Sequence, residues 1–239
     1  ESLYDTEVGY KIQGYNSAFS ATAYYMIYEN QLILTGKIND VGAYTRENVD
    51  YSERKGIELE ADIKINPKWT WSTNATFSNN IIAHYTEYVD NWDNWEQEIV
   101  NYSNTSIAFS PEMIWASQLD YQFKDNLEVK FISKYVDQQF IDNTSSDDRK
   151  LNAYLVHQAR LIWDIESKLF KLARLSFQIN NLLDEKYVNN AWVYRFKSDG
   201  YDPRPDDPYV TANSEGGYDM AGYFPQAKRN FLIGLSLGF

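Results

Sequence analysis

The chain has 239 residues, 44% apolar and 16% aromatic, enough for one large β domain or two small ones. It has no cysteine, which removes disulfide frameworks, thiolate nucleophiles and Cys-ligated metal sites. Its 34 acidic residues against 22 basic give a net charge of −12, which argues against nucleic acid and anionic lipid head groups as partners and favours a neutral or cationic ligand.

No run reaches the roughly 18 apolar residues of a membrane-spanning helix. The N-terminal ESLYDTEVGY has neither the basic start nor the apolar core of a signal peptide, so a leader was removed or the segment is internal. With 20 Tyr, 12 Phe and 7 Trp against 6 Pro, the aromatic load suits strands. The mean hydropathy of −0.56 is compatible with a membrane barrel, whose strands put only alternate residues into lipid.

Period-two alternation marks nine strands. Val8, Tyr10 and Ile12 open the series, followed by Phe19, Ala21, Ala23, Tyr25 and Ile27. In the third, Ile57, Leu59, Ala61, Ile63 and Ile65 alternate with Glu58, Glu60, Asp62 and Lys64, charges that need water and that no close-packed sandwich core could hold unpaired. Trp69, Trp71, Thr73, Ala75 and Phe77 oppose Thr70, Ser72, Asn74, Thr76 and Ser78; Met113, Trp115, Ser117, Leu119, Tyr121 and Phe123 oppose Ala116, Gln118, Asp120 and Gln122. Leu127, Val129 and Phe131 oppose Glu128 and Lys130, then Leu155, Ala159, Leu161, Trp163 and Ile165 oppose Gln158, Arg160 and Asp164. Leu175, Phe177 and Ile179 oppose Ser176, Gln178 and Asn180. In the last strand Phe231, Ile233, Leu235, Leu237 and Phe239 make one continuous apolar face against a small, mostly polar one.

Connections alternate short (14–17, 66–68, 124–126, 166–171) with long (30–48, 85–110, 142–151 and about 189–224). Tight periplasmic turns and long extracellular loops give an outer-membrane barrel this alternation. The predicted fold is therefore all-β, an antiparallel transmembrane β-barrel. The first and last strands both run toward the periplasm, and an up-and-down barrel with both termini there needs an even strand count, so nine strands imply more before Glu1. A soluble sandwich or propeller would explain the alternation, but not strands well beyond the usual five or six residues.

Five segments resemble one family over the whole length of the chain. PQAKRNFLIGLSLGF at 225–239 resembles the closing strand of TonB-dependent receptors, including the terminal Phe by which outer-membrane barrels are recognised for assembly. NNLLDEKY at 180–187 is similar to the family's Asn-Leu-(Phe/Leu)-Asp-Lys-x-Tyr segment, with Leu183 in place of the commoner Phe. KGIELE at 55–60, EVGY at 7–10 and QQFIDNT at 138–144 are also similar to segments of such receptors, in a Bacteroidetes style. The resemblance implies that 1–239 is the C-terminal portion of a 22-stranded barrel in the cell outer membrane, with the plug domain and earlier strands absent. It further implies an active transporter that imports a nutrient ligand (siderophore, haem, cobalamin or glycan) without acting on it as an enzyme. Gating would be driven by TonB with ExbB and ExbD through the missing N-terminal region. Other implied partners are the barrel assembly machinery, a surface lipoprotein and outer-membrane lipid; no cofactor or metal is implied. Alternatives are a structural or assembly component of an outer-membrane complex, a passive porin and a barrel enzyme.

For chemistry the sequence offers little. His84 and His157 fall on different strands without a Ser, Asp or metal-ligand pattern, and the acidic stretches 90–98 and 199–207 lack the spacing of a calcium loop. Arg160, Lys130, Lys134, Glu58, Glu60 and Asp62 are expected inside the barrel, in contact with a plug. The candidate ligand-binding residues are the aromatics of the long connections, Trp92, Trp95, Tyr102, Trp192, Tyr194 and Tyr201, whose faces suit stacking on flat ligands or sugars. The candidate assembly signal is Phe231, Ile233, Leu235, Leu237 and Phe239.

Overall fold

A computed structural model describes all 239 residues and contains fifteen strands. They are β1 (Ser2–Gln13), β2 (Ser17–Ile38), β3 (Tyr44–Asn66), β4 (Trp69–Asn91), β5 (Glu96–Ser106), β6 (Met113–Lys124), β7 (Leu127–Val136), β8 (Gln139–Phe140), β9 (Lys150–Leu151), β10 (Tyr154–Asp164), β11 (Leu172–Asn180), β12 (Val188–Lys197), β13 (Val210–Asn213), β14 (Gly217–Pro225) and β15 (Asn230–Gly238). Nine of these form one antiparallel wall in the order β1-β2-β3-β4-β6-β7-β10-β11-β15. They are the nine strands that alternation marks in the sequence, joined at one end by the four short turns.

Register carries the alternation from strand to strand. Tyr10, Ala21, Leu59, Ala75, Trp115 and Tyr135 form one cross-strand row, and Trp71, Leu119, Phe131, Ala159, Ile179 and Phe231 another. Leu235 and Leu237 pair with Leu175 and Ala173 and so share the face of Phe177, while Ser176 pairs with Gly234 and Arg174 with Ser236 on the other. One side of the wall is therefore apolar across all nine strands. The opposite side carries Glu58, Glu60, Asp62, Asn74, Gln118, Lys130, Arg160 and Gln178. A one-residue slip anywhere would exchange the two sides, so each pair fixes the next. The polar side also receives the segment 107–112: Ser78 Oγ donates to the Pro111 carbonyl at 3.2 Å, and Arg54 Nη1 to Ser110 Oγ at 3.5 Å. That makes the polar side the inner one.

Three of the long connections are not loops. β2, β3 and β4 run for 22, 23 and 23 residues, so 30–48 is mostly the continuation of the β2–β3 hairpin, and 85–110 is mostly β4 with its upper partner β5. Segment 189–224 holds β12, β13 and β14. Above the apolar band neither face meets lipid, and stretches such as QLILTGKI at 31–38 pack against other connections. The period-two pattern that identifies a strand is then lost, although the ladder continues. The wall itself is not closed: β1 and β15 each have one free edge, and after nine alternating strands they point the same way.

The glycine of KGIELE has a steric reason. Gly56 pairs with Tyr24, and a Cβ there would collide with the Phe77 carbonyl and stand 2.6 Å from the Tyr24 hydroxyl, because the tyrosine ring lies across the bare backbone. Gly56→Val should destabilise the barrel by about 1–3 kcal/mol through overpacking against backbone that must shift. A lower transition temperature in heat-modifiable gel mobility checks this, with Ile57→Val, on the open apolar face, shifting it less.

Candidate functional site: the folded mouth

At the end of the wall opposite the short turns, the long connections fold together over the polar side. The segment from 181 to 229 leaves the wall through the NNLLDEKY turn. Asn181 and Asp184 take the left-handed conformation (φ 50° and 59°), which Asn and Asp tolerate better than most residues. Asn181 Nδ2 donates to the Glu185 carbonyl and Glu185 N to Asn181 Oδ1, both at 2.8 Å, while the Arg229 amide donates to Asp184 Oδ1 at 2.8 Å. The motif thus turns the chain off β11 and fixes it beside the start of β15. Beyond it, β12 and β14 pair, with the Trp192 ring lying over its partner Gly222. The end of β12 then meets the top of β4 in a short parallel pairing, Phe196 with Asp90 and Lys197 with Asn91.

The QQFIDNT segment forms the opposite side. Asn143 is fully buried: its Nδ2 donates to the Leu34 carbonyl at 2.6 Å, and its Oδ1 accepts from the Ala108 amide at 2.8 Å. One side chain therefore joins the top of β2, the 107–112 link and the 137–149 connection. Asp142 Oδ1 accepts from the amide and hydroxyl of Thr144, and Ile141 packs with Leu151, Ala191 and Val193.

Between these sides lies a buried ionic cluster. Arg149, 1% exposed, has Nε 2.7 Å from Asp142 Oδ2, although the N–H is not aligned on that oxygen, and reaches Asp219 at 3.3 Å and Glu215 at 3.2 Å. Arg195 meets Glu87 and Glu215, each at 2.8 Å, and donates to the Tyr102 hydroxyl at 2.8 Å. Four carboxylates thus share two guanidiniums. Burial pushes the Asp142 and Asp219 carboxyls above their ordinary 3.8 despite the pull of Arg149. Burial also acts to raise Glu215, but Arg149, a hydrogen bond from Ser146 and Arg195 together outweigh it and hold that carboxyl below 4.5. Both guanidiniums stay charged, since their acidic neighbours overcome desolvation.

Of the six candidate aromatics, four are built into this packing. Trp92 stacks on Phe196 at 3.9 Å between centroids and donates from Nε1 to the Tyr194 hydroxyl, which donates to Asp90 at 2.6 Å. Burial pushes the Tyr194 hydroxyl up to about 12. Tyr102 donates to Glu87 inside the ionic cluster, and Trp192 covers Gly222. Trp95, 87% exposed at the tip between β4 and β5, and Tyr201, 50% exposed and bonded to Asp206, present open rings. The acidic stretches are largely engaged: Asp93 accepts the Asp199 and Gly200 amides, Asp202 pairs with Arg204, and Glu98 pairs with Lys197. His157 Nδ1 meets Ser133 Oγ at 2.8 Å, and its ring stacks on Phe131 on the apolar side of the wall. Sequence reading missed Arg149, Arg195, Glu215 and Asp219, which belong to no motif. No local signal marks them, since the partners they meet are far away along the chain.

An antiparallel wall with an apolar outside, a polar inside, tight turns at one end and infolded connections at the other is the architecture of an outer-membrane barrel. The family described as TonB dependent receptor-like, beta-barrel, matches residues 1–182, and the chain belongs to it. It is an outer-membrane protein. No match is found among curated proteins. Among solved structures, the chain is similar to the ferric-catecholate import receptor Fiu from E. coli K12 in its closed form (18% identity, TM-score 0.60, 97% of this chain and 27% of that one). It is similar also to the siderophore receptor PiuA from Acinetobacter baumannii (15%, 0.63, 98% and 28%) and to the copper transporter OprC (14%, 0.65, 99% and 31%). The chain therefore spans between a quarter and a third of the length of these receptors.

Two outcomes are expected of the cluster. Arg149→Met leaves Asp142 and Asp219 buried without their cation and should cost about 3–5 kcal/mol of local stability, read as the opening free energy of the β8–β9 amides; a loss under about 1 kcal/mol would be that of a solvent-screened pair. The second concerns pH. Carboxyls raised above their unfolded values bind protons more readily in the closed mouth, so closure should strengthen as pH falls from neutrality toward the ordinary carboxylate range. Glu215, lowered, loses its contribution as pH falls further, through its own folded value. Amide exchange of β12 and β14, corrected for intrinsic rates, should be slowest at mildly acid pH.

Proposed function

We propose that residues 1–239 are the C-terminal portion of the barrel of an active outer-membrane importer, whose plug and remaining strands lie in chain beyond these residues. The observation that carries this reading is the conjunction of a charged inner wall with a mouth folded over it. A passive pore has no need of a covered mouth, and lumenal charges such as Glu58, Glu60, Asp62 and Arg160 need partners that a plug would supply. The parallel free edges of β1 and β15 support the same reading, since they cannot pair with each other antiparallel. Import would be driven through TonB with ExbB and ExbD, with no chemistry on the ligand.

In this reading Trp95 and Tyr201 make first contact with the ligand, while Trp92, Tyr102, Trp192 and Tyr194 shape the mouth behind them. The ligand is a nutrient complex of the siderophore, haem, cobalamin or glycan kind; likeness to the ferric-catecholate import receptor Fiu and to the copper transporter OprC supports a metal complex. The acidic surface favours a neutral or cationic one. Growth of cells on single sources of chelated iron, haem, cobalamin or glycan, with and without the receptor and TonB, tests the proposal. Import requires one source whose use depends on both; receptor-dependent uptake that persists without TonB would instead indicate a passive pore.

Phe231, Ile233, Leu235, Leu237 and Phe239 are the proposed assembly signal, one exposed apolar line along the edge strand β15 and the residue after it, and the Phe239 ring meets Phe170 edge-on at 5.2 Å. Deleting Phe239 should lower the amount of folded barrel in the outer membrane severalfold without changing synthesis. Unchanged folded protein on unheated gels would remove Phe239 from that signal.

A further inference from the structure

We propose that residues 181–229 form a lid over the mouth whose opening begins at Glu215, the most water-exposed carboxylate of the buried ionic cluster that ties lid to wall. The consequence for uptake rests on the import reading above, but the test does not.

The lid has one root. Asn180 and Asn230 are directly paired across β11 and β15, with Asn180 Nδ2 donating to Asn230 Oδ1 at 2.8 Å, so the segment leaves and returns to the wall at one place. Everything else that holds it is non-covalent. Its apolar contacts are Val188, Ala191, Val193 and Ala221 on the cluster with Ile141, Leu151 and Phe109, Tyr187 on Tyr154 at 4.4 Å, and Phe196 on Trp92. The others are polar and include the short β12–β4 backbone pairing, Tyr44 with Asn190, Gln139 with the Asn189 carbonyl, Tyr194 with Asp90, Asp93 with the Asp199 amide, Lys197 with Glu98, Ser214 with Asp148, and the two arginine clusters. A surface fastened mainly by hydrogen bonds and ion pairs exchanges these for water on opening at small net cost, whereas an apolar seam would not.

Within that surface Glu215 is distinctive. It stands in the turn between β13 and β14, where Gly216 takes φ 79°, and it touches Arg149 at 3.2 Å on the 137–149 side and Arg195 at 2.8 Å on the lid, besides the Tyr102 hydroxyl on β5. Its side chain is 29% exposed, while those of Arg149 and Arg195 are 1% and 4% exposed. Water therefore reaches the cluster at Glu215 first. When this carboxylate leaves, Arg149 keeps Asp142 and Asp219 and Arg195 keeps Glu87, so two lid–wall pairs remain deeper in the cluster while the turn itself is left tied by Ser214 on Asp148. The other charged groups facing the cluster, Glu47 on β3 and Lys37 on β2, lie on the wall side and do not cross to the lid.

Amide hydrogen exchange on the purified outer-membrane receptor that carries this chain decides the matter. Glu215→Gln keeps the size and removes the charge, and it should speed exchange of β12 and β14 on the order of tenfold while leaving β10 and β11 unchanged. A second variant adds Asp148→Cys and Ser214→Cys to Glu215→Gln, using two side chains already within 2.7 Å in a chain that has no cysteine of its own. Oxidation should return β12 and β14 to slow exchange, and reduction should release them. Unchanged exchange in Glu215→Gln, equal acceleration in β10 and β11, or an oxidised pair that fails to restore protection would each overturn the latch. None of these results depends on whether the receptor imports, or on what.

Discussion

A bilayer offers peptide groups no hydrogen-bond partner, so a strand that crosses it must be paired along its whole length and must turn every second side chain to lipid. In this chain those two demands account for nine strands with one apolar face and for the tight turns between them. They account also for tolerance of charge at positions such as Glu60 and Asp62, which face the inner side. Register is the means by which the demand is met. Each cross-strand pair, from Tyr10 with Ala21 to Leu175 with Leu235, hands the apolar parity to its neighbour.

Above the apolar band a different problem begins. The connections are in water, but they fold over one another and bury polar residues for which there is no lipid-facing outlet. The solution is to satisfy them in shared knots. Asn143 joins three segments through two backbone groups, and Arg149 and Arg195 gather four carboxylates from β4, the 137–149 connection and the β13–β14 unit. Such knots are costly to leave half-made, which makes them specific. They hold the mouth in one arrangement where apolar packing alone, here two small clusters and the aromatic stack around Phe196, would leave several.

The mouth therefore combines a stiff frame with fastenings that water can replace. The wall is a continuous ladder, stable by cooperation between strands, whereas the 181–229 segment is tied by contacts whose net worth is individually modest. This division places low local stability at the mouth and high stability where the membrane demands it.

The nine wall strands, their faces and their short turns were legible in the sequence because lipid on one side and a polar interior on the other impose a period of two that only a strand can meet. The extracellular continuations of β2, β3 and β4 were not, because once both faces are covered by other connections the pattern dissolves while the hydrogen bonds remain. The family segments were visible as letters but not as mechanics: it took tertiary structure to make Gly56 a seat for Tyr24, Asn181 and Asp184 the turn that anchors the lid, and Asn143 a three-way pin. The aromatic residues divided in the same way. Composition marked Trp92, Trp95, Tyr102, Trp192, Tyr194 and Tyr201 together, and the fold alone separated rings packed on Phe196 or Gly222 from rings left open at the tip. The ionic cluster was decided entirely in three dimensions, since Glu87, Arg149, Arg195 and Glu215 are far apart along the chain and carry no periodic signal. Charge attraction between distant residues leaves no mark on local sequence, whereas the environment on either side of a strand is written into every second residue.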